Sequence, residues 1–305
     1  MEMKTVIGFS LPYKLFMEQP PDGNQHCLLN QYNSVEYLLN RLKAAGVASI
    51  EIRVLPRDGD SAQIQNTVQM VWEMGFQLTV HGALQGNATG NNFADIYPSM
   101  KYIMDHYHRY QNELIVTVHA LHDIENENNK SETVIGSLAE RTVNQLTEWA
   151  DMTRMTHPSI QFALEINRRK SPLIDPGDTV EGVLHMVDAI NRPNVGICWD
   201  MGHYYANLLA MHQLPEPPEQ WIEELPPEAF LNRVVHTHIH GLSGREETHF
   251  PLTARKSLPL EHYVQSLMQV NYRGGFNLEL TFHKWPNRLE EGIFSSILRL
   301  SRLSS

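Results

Sequence analysis

Six segments of this chain run into an acid or a histidine, the side chains that bind divalent metals and move protons near neutral pH. Side chains of an extended segment alternate between two faces, so residues two apart share a face. In Gln161–Ile166 the bulky Phe162, Leu164 and Ile166 take one face and leave Glu165 on the other. Phe276, Leu278 and Leu280 likewise oppose Asn277 and Glu279, and Ile197 and Trp199 oppose Gly196, Cys198 and Asp200. Val235, Thr237 and Ile239 oppose His236, His238 and His240. Two further apolar runs lead to His81 and His119, on the parity opposite Leu78/Val80 and Val116/Val118. His203, three residues after Asp200, reaches the same place from the following turn. Three carboxylates and three histidines gathered at one rim are costly to bury without a cation. The mixed oxygen and nitrogen set suits Mn²⁺, Co²⁺, Zn²⁺ or Mg²⁺.

Each residue taken singly has a plainer use. A lone His81 or His119 is more often a hydrogen-bonded structural histidine, and Asp200 before Met201-Gly202 suits a helix N-cap. His236 and His240 are read as structural, because one histidine per strand end reaches one ion. His26, His106, His108, His122, His157, His185, His212 and His262 read as surface or loop residues. Trp199, Tyr204 and Tyr205 suit packing as well as substrate contact. What raises the set above its members is joint placement, with the same parity at the same strand end.

The elements that must position these groups alternate in kind. Apolar, β-branched runs lie at Thr5–Phe9, Ser49–Val54, Phe76–Val80, Leu114–Val118, Gln161–Ile166, Val195–Trp199, Val234–Ile239 and Phe276–Leu280. Amphipathic helical segments separate them. Val35, Leu38, Leu39 and Leu42 follow the i, i+3, i+4, i+7 spacing, with Gly46 where a helix should stop. Asp178 with Glu181 reads as a capping box opening the helix of Val183, Val187 and Ile190. Arg141–Met155 and Leu260–Val270 read as helices too. Such alternation implies right-handed parallel βαβ units. Eight units in 305 residues fit a single α/β domain over 1–305, a closed (β/α)8 TIM barrel. An open doubly wound sheet is the other choice, but no Gly-x-Gly-x-x-Gly follows the first run. Long polar loops at Gly82–Asn91, Ala120–Glu132 and Gly241–Pro259, with the Pro-rich 214–227 stretch, put function on the C-terminal face of the barrel.

With the strands in place, four segments carry a family likeness. Ala163-Leu164-Glu165, Gly196-Ile197-Cys198-Trp199-Asp200-Met201-Gly202-His203, Val235-His236-Thr237-His238 and Asn277-Leu278-Glu279-Leu280 resemble the signature strands of the xylose-isomerase-like TIM barrels. That superfamily holds sugar and sugar-phosphate isomerases and epimerases, related dehydratases, and the endonuclease IV type of abasic-site nuclease. The resemblance implies Glu165, Asp200, His238 and Glu279 as metal ligands, with His203 contacting substrate or a second metal. In the epimerase branch the two glutamates also form the acid–base pair, and an Arg after the strand-seven histidine has a slightly displaced counterpart in Arg245. The family's Glu-x-x-Asn-Arg is one residue shorter here, as Glu165-Ile166-Asn167-Arg168. In the nuclease branch two histidines on strands three and four match His81 and His119. That branch's Asp-x-His after strand seven has only Glu247-Thr248-His249 as its nearest element, different in residue type and spacing.

The expected activity is therefore a divalent-metal-dependent isomerase or epimerase of a sugar, sugar phosphate or keto-polyol, working by proton transfer through a metal-stabilised enediolate. A dehydratase or lyase from the same enediolate, and an abasic-site phosphodiesterase, are the alternatives. Composition bears on partners. The net charge of −11 and the dispersed 24 Lys and Arg weigh against a large nucleic-acid surface. No apolar stretch approaches the roughly 20 residues of a membrane helix. No leader-like start is seen, and the two cysteines, Cys27 and Cys198, show no redox or metal spacing, so a cytoplasmic location is expected. The expected partner is a small carbohydrate-like molecule, with self-association left open.

Overall fold

Eight parallel strands close into a barrel in chain order, each hydrogen-bonded to the next and the last to the first. The computed structural model describes residues 6–12, 15, 23–54, 61–82, 93–121, 132–169, 175–214, 222–252 and 258–303. The strands are β1 (Ile7–Pro12), β2 (Val47–Val54), β3 (Gln77–Gly82), β4 (Leu114–His119), β5 (Ile160–Glu165), β6 (Val195–Asp200), β7 (Val234–Ile239) and β8 (Phe276–Leu278). The helices are α1 (Gly23–Tyr32), α2 (Val35–Ala44), α3 (Ser61–Glu73), α4 (Phe93–His106), α5 (Glu132–Thr156), α6 (Val180–Ile190), α7 (Met201–Met211), α8 (Glu228–Leu231), α9 (Leu260–Gln269) and α10 (Leu289–Leu303).

The strand residues that alternate away from the interior are the apolar ones. Ile50, Ile52, Leu78, Val80, Val116, Phe162, Leu164, Ile197, Trp199 and Leu278 are all fully buried. Leu38, Leu39 and Leu42 of α2, and Val183, Met186 and Val187 of α6, are buried with them in the same core. Each such side chain stabilises the fold by about 1.5–3 kcal/mol relative to exposure. Local signals bound α2 at both ends, Gly46 as read from the sequence and Ser34 in addition. Ser34 Oγ accepts the Tyr37 N–H at 3.1 Å to start α2. Gly46, at φ +95, takes the left-handed backbone that a side chain resists just past its end.

Several boundaries differ from expectation; β1 runs on to Pro12 and β8 stops at Leu278. Thr179, not Asp178, caps α6 by accepting the Gly182 N–H at 3.0 Å. Asp178 instead accepts the Asp175 N–H at 2.9 Å, within the turn before the helix. β3 runs on to Gly82, so His81 lies inside a strand rather than after one. α5 begins nine residues before Arg141, at Glu132. Most of the long loops expected after β3 and β4, residues 83–92 and 122–131, lie outside the described residues, as do 215–221 and 253–257. Among the described residues no helix is long and apolar enough to cross a membrane.

Candidate metal centre and active site

The C-terminal rim is organised around Glu165, the last residue of β5 and fully buried. The register sets His119 of β4 directly beside it. His119 Nε2 lies 2.7 Å from Glu165 Oε2, and His81 Nε2 lies 3.1 Å from the same oxygen. The other oxygen, Oε1, faces His238 Nδ1 at 3.1 Å and His203 Nδ1 at 3.7 Å. Burial works to raise the Glu165 carboxyl, but His119, His238 and His81 outweigh it and hold the group well below the ordinary carboxylate range. Glu279, just past β8, brings Oε2 to 3.4 Å from His238 Nδ1 and is the more open of the two glutamates, with 15% of its side chain exposed.

Asp200 serves the fold and the rim at once. Its Oδ1 caps α7 by accepting the His203 N–H at 2.7 Å. His240 Nε2 lies 3.1 Å from that same oxygen. His240 Nδ1 accepts the backbone N–H of His249 at 3.0 Å. Burial opposes a charge on His240, but Asp200 outweighs it and holds the ring above the ordinary histidine value. The ring is seated against Gly202, where an added Cβ would fall inside the imidazole. His203, His240 and His249 bring donor atoms within 4.8 Å of one another. His240 also links Asp200 to the β7–α9 loop, through its contacts with Asp200 Oδ1 and the His249 N–H.

The donor set fits a divalent cation. Oδ2 of Asp200, 3.1 Å from His203 Nδ1, and Oε2 of Glu279, 3.4 Å from His238 Nδ1, are buried carboxylate oxygens that no hydrogen bond satisfies. Orphaned buried carboxylate oxygens of this kind cost free energy unless a cation meets them. His81, Glu165, His238 and Glu279 place one donor atom each within 4.8 Å of one another, and Glu165, Asp200 and His203 do the same. The four ligands implied by the family likeness therefore fall into two groups that share Glu165. Burial, reinforced by the neighbouring His240, pushes both His203 and His249 well below the ordinary histidine value. Both are then neutral rings near pH 7, and their Nε2 atoms stand 3.3 Å apart.

The remaining candidates lie farther out. His249 holds a left-handed backbone, φ +64, fixed by the Gly241–Phe250 bridge and by its carbonyl accepting the Thr281 N–H at 2.9 Å. Arg245 is turned to Glu246, with Nε 3.3 Å from its carboxylate, and makes no contact with the ring of ligands among the described residues. Arg168 and Lys284, which sequence reasoning did not assign as functional, flank this outer level. Arg168 pairs with the exposed Glu246 at 3.0 Å while its buried Nε has no partner. Lys284 Nζ donates to the Thr248 carbonyl at 2.7 Å. Burial first, then the nearby Arg168, lowers the Lys284 pKa.

A second omission lies below the rim. Glu51, mid-strand in β2 and fully buried, accepts from Ser10 Oγ at 2.6 Å and Asn277 Nδ2 at 2.9 Å. Its other oxygen lies 3.1 Å from His236 Nε2 and 3.0 Å from His238 Nε2. Burial opposes the charge, but His238 and His236 hold this carboxyl well below its ordinary range. Parity alone points Glu51 inward, opposite Ile50 and Ile52. It escaped notice because it lies one inward-facing level below the strand end, where Arg53 is registered with His81.

Known proteins resemble this chain in part of its sequence or in its fold. An uncharacterized Methanocaldococcus jannaschii protein, MJ1188, is 38% identical over 82 residues, which is 26% of this chain and 29% of that protein. The chain thus matches under a third of that curated relative's length. The structure of a Methylomonas D-allulose 3-epimerase in complex with D-allulose superposes with a TM-score of 0.60 at 15% identity, covering 99% of each chain. An Escherichia coli 3-keto-D-glucoside 4-epimerase gives 0.60 at 14% identity, again over 99% of each. At such identities the likeness shows the fold alone. The family description, a xylose isomerase-like TIM barrel, matches residues 39–299, from α2 into the last helix. With its closed eight-stranded barrel and its match over most of its length, the chain belongs to the xylose isomerase-like TIM barrel family.

Proposed function

We propose that this protein is a divalent-metal-dependent epimerase or isomerase of a small polyhydroxylated carbonyl compound, a sugar or a sugar phosphate. The observation that carries this reading is the pair of glutamates, Glu165 and Glu279, meeting the same His238 Nδ1 at 3.1 and 3.4 Å. The full-length likeness to proteins described as sugar epimerases agrees with it. A divalent ion bound by Glu165, Asp200, His238 and Glu279 would supply Lewis-acid stabilisation to the oxyanion that develops beside a carbonyl.

The chain's own groups account for the rest. Glu279, partly open and with an unpartnered Oε2, is placed to take a proton from the carbon next to the carbonyl. Glu165, clamped as an anion, is the second member of the pair, and His119 on its Oε2 can relay a proton to it. His203 and His249, neutral and adjacent, can donate to or accept from substrate hydroxyls. Arg168 and Lys284 are the cations that would meet a phosphate at the substrate's far end.

One observation favours a second reading, a metal-dependent phosphodiesterase: His81 and His119 both address Glu165 Oε2, as two extra ligands of a polynuclear centre would. Screening separates the two. Ketoses, their phosphates and keto-cyclitols are incubated with protein and Mn²⁺ or Co²⁺ in D2O and followed by NMR. Interconversion with deuterium entering beside the carbonyl supports the epimerase. Incision of abasic-site DNA, with no exchange in any sugar, supports the phosphodiesterase.

A further inference from the structure

We infer that Glu51 is a positioning residue that keeps the ring proton of His238 at Nε2 and so presents Nδ1 as the metal-binding atom. This rests on the metal-dependent reading above and adds a residue that does not touch the ion.

An ionised carboxylate only accepts hydrogen bonds, so every group touching Glu51 must donate to it. Ser10 Oγ and Asn277 Nδ2 donate to Oε1, and the Nε2 atoms of His236 and His238 donate to Oε2. Asn277 Nδ2 also lies 2.7 Å from Ser10 Oγ, which fixes the upper side of the network. Residues from β1, β2, β7 and β8 thus converge on one fully buried anion. Once an ion takes one nitrogen of His238 the ring keeps a single proton, and two carboxylates are placed to hold it: Glu51 at Nε2, 3.0 Å, and Glu165 at Nδ1, 3.1 Å. If Glu165 won, Nδ1 would carry the proton and be closed to an ion. Glu51 opposes this with a charge-assisted bond on the ring's other side, while an ion bound by Glu165 would relieve that carboxylate of its need for a donor. A lone pair at Nδ1 then faces Glu165 Oε1 and Glu279 Oε2, an arrangement that is repulsive without a cation and favourable with one.

A carboxylate behind a metal-binding imidazole typically contributes ~10–100-fold in metal affinity. The test uses the full chain, Zn²⁺ as probe, and Glu51→Gln, whose amide keeps the shape but offers one acceptor oxygen in place of two. Zn²⁺ affinity is measured by competition with a chromophoric chelator, and ring proton and nitrogen resonances of His238 are recorded in the Zn²⁺-loaded protein. The expected result is ~10–100-fold weaker binding by Glu51→Gln, with a low-field Nε2–H of His238 present in wild type and lost in the variant. His236→Gln, which leaves the His238–Glu51 bond in place, should bind Zn²⁺ within about threefold of wild type. Wild-type affinity in Glu51→Gln, or equal weakening in His236→Gln, would show a merely structural network and overturn the assignment. Should Glu51→Gln not fold, the wild-type spectrum decides alone: Zn²⁺ on Nε2 refutes it. Failure of the wild-type protein to take up Zn²⁺ would instead overturn the metal-dependent reading and this inference with it.

Discussion

Replacing Asp200 separates its two duties, since one oxygen caps α7 and the other, beside His203 Nδ1, accepts no hydrogen bond and can meet an ion. In Asp200→Ala the cap to the His203 N–H disappears, a loss of about 0.5–2 kcal/mol. His240, with Nε2 3.1 Å from Asp200 Oδ1, loses its carboxylate neighbour in a fully buried place, for about 1–3 kcal/mol more. Removing one of several crowded carboxylates gives part of this back. A net loss of roughly 1–4 kcal/mol in metal-stripped protein lowers Tm by ~2–10 °C in a domain of this size. Asp200→Asn keeps an equally good cap and an oxygen for His240, so its stripped Tm should stay within about 2 °C of wild type. What the amide removes is the charge that meets the cation. A saturating ion at about 1,000 times its Kd raises wild-type stability by about 4 kcal/mol, and each tenfold loss of affinity takes away about 1.4 kcal/mol. Thermal melts of stripped and Mn²⁺- or Zn²⁺-loaded proteins, with metal content by plasma mass spectrometry, check both halves. The reasoning is refuted if Asp200→Asn retains the full metal content and full metal-induced shift, because Asp200 would then be a helix cap alone.

Glu165→Gln and Glu279→Gln should each lower turnover by about 10²–10⁴ while metal content falls far less, and both should abolish solvent deuterium exchange. Near-normal turnover by Glu279→Gln, read in an NMR time course, would remove it as the base. Arg168→Ala and Lys284→Ala should raise KM for a phosphorylated substrate by roughly tenfold or more, as expected for a charge-assisted contact, and leave an unphosphorylated one nearly unchanged. Equal effects on both substrates would remove these cations from phosphate recognition. Burial pushes the Cys198 thiol far up, so native protein at pH 8 should resist iodoacetamide at Cys198 and react there only after denaturation; peptide mass spectrometry reads the difference. Wild-type protein should not incise abasic-site duplex DNA. Metal-dependent incision lost in His81→Ala and His119→Ala would promote the phosphodiesterase.

The rim was legible because a strand's alternation is a rigid rule. Phe162, Leu164 and Ile166 can face only the helices, which leaves Glu165 inside, and the same logic places His81, His119, Asp200, His238 and Glu279. Glu51 obeys that rule, yet its partners come from three other strands, β1, β7 and β8. Sequence spacing does not say which level of one strand meets which level of another; that depends on the stagger of the closed barrel. The double use of Asp200 was half visible, since its position suits a cap, whereas His240 joining it to the His249 backbone depends on a left-handed turn that no motif announces. Arg168 and Lys284 belong to turns after β5 and β8, where side-chain direction follows from loop geometry rather than from periodicity. Asp178 yielded the α6 cap to Thr179 because its carboxylate closes the preceding turn at Asp175 instead.

Anomalous diffraction from crystals of the protein loaded with Mn²⁺ or Zn²⁺, collected at the metal's absorption edge, reaches the central claim most directly. The expected result is a strong peak at the C-terminal rim within bonding distance of Glu165, His238 and Glu279, with Asp200 turned toward it. A fully loaded crystal with its only peaks at surface carboxylates or histidines, and none among these four residues, would contradict it.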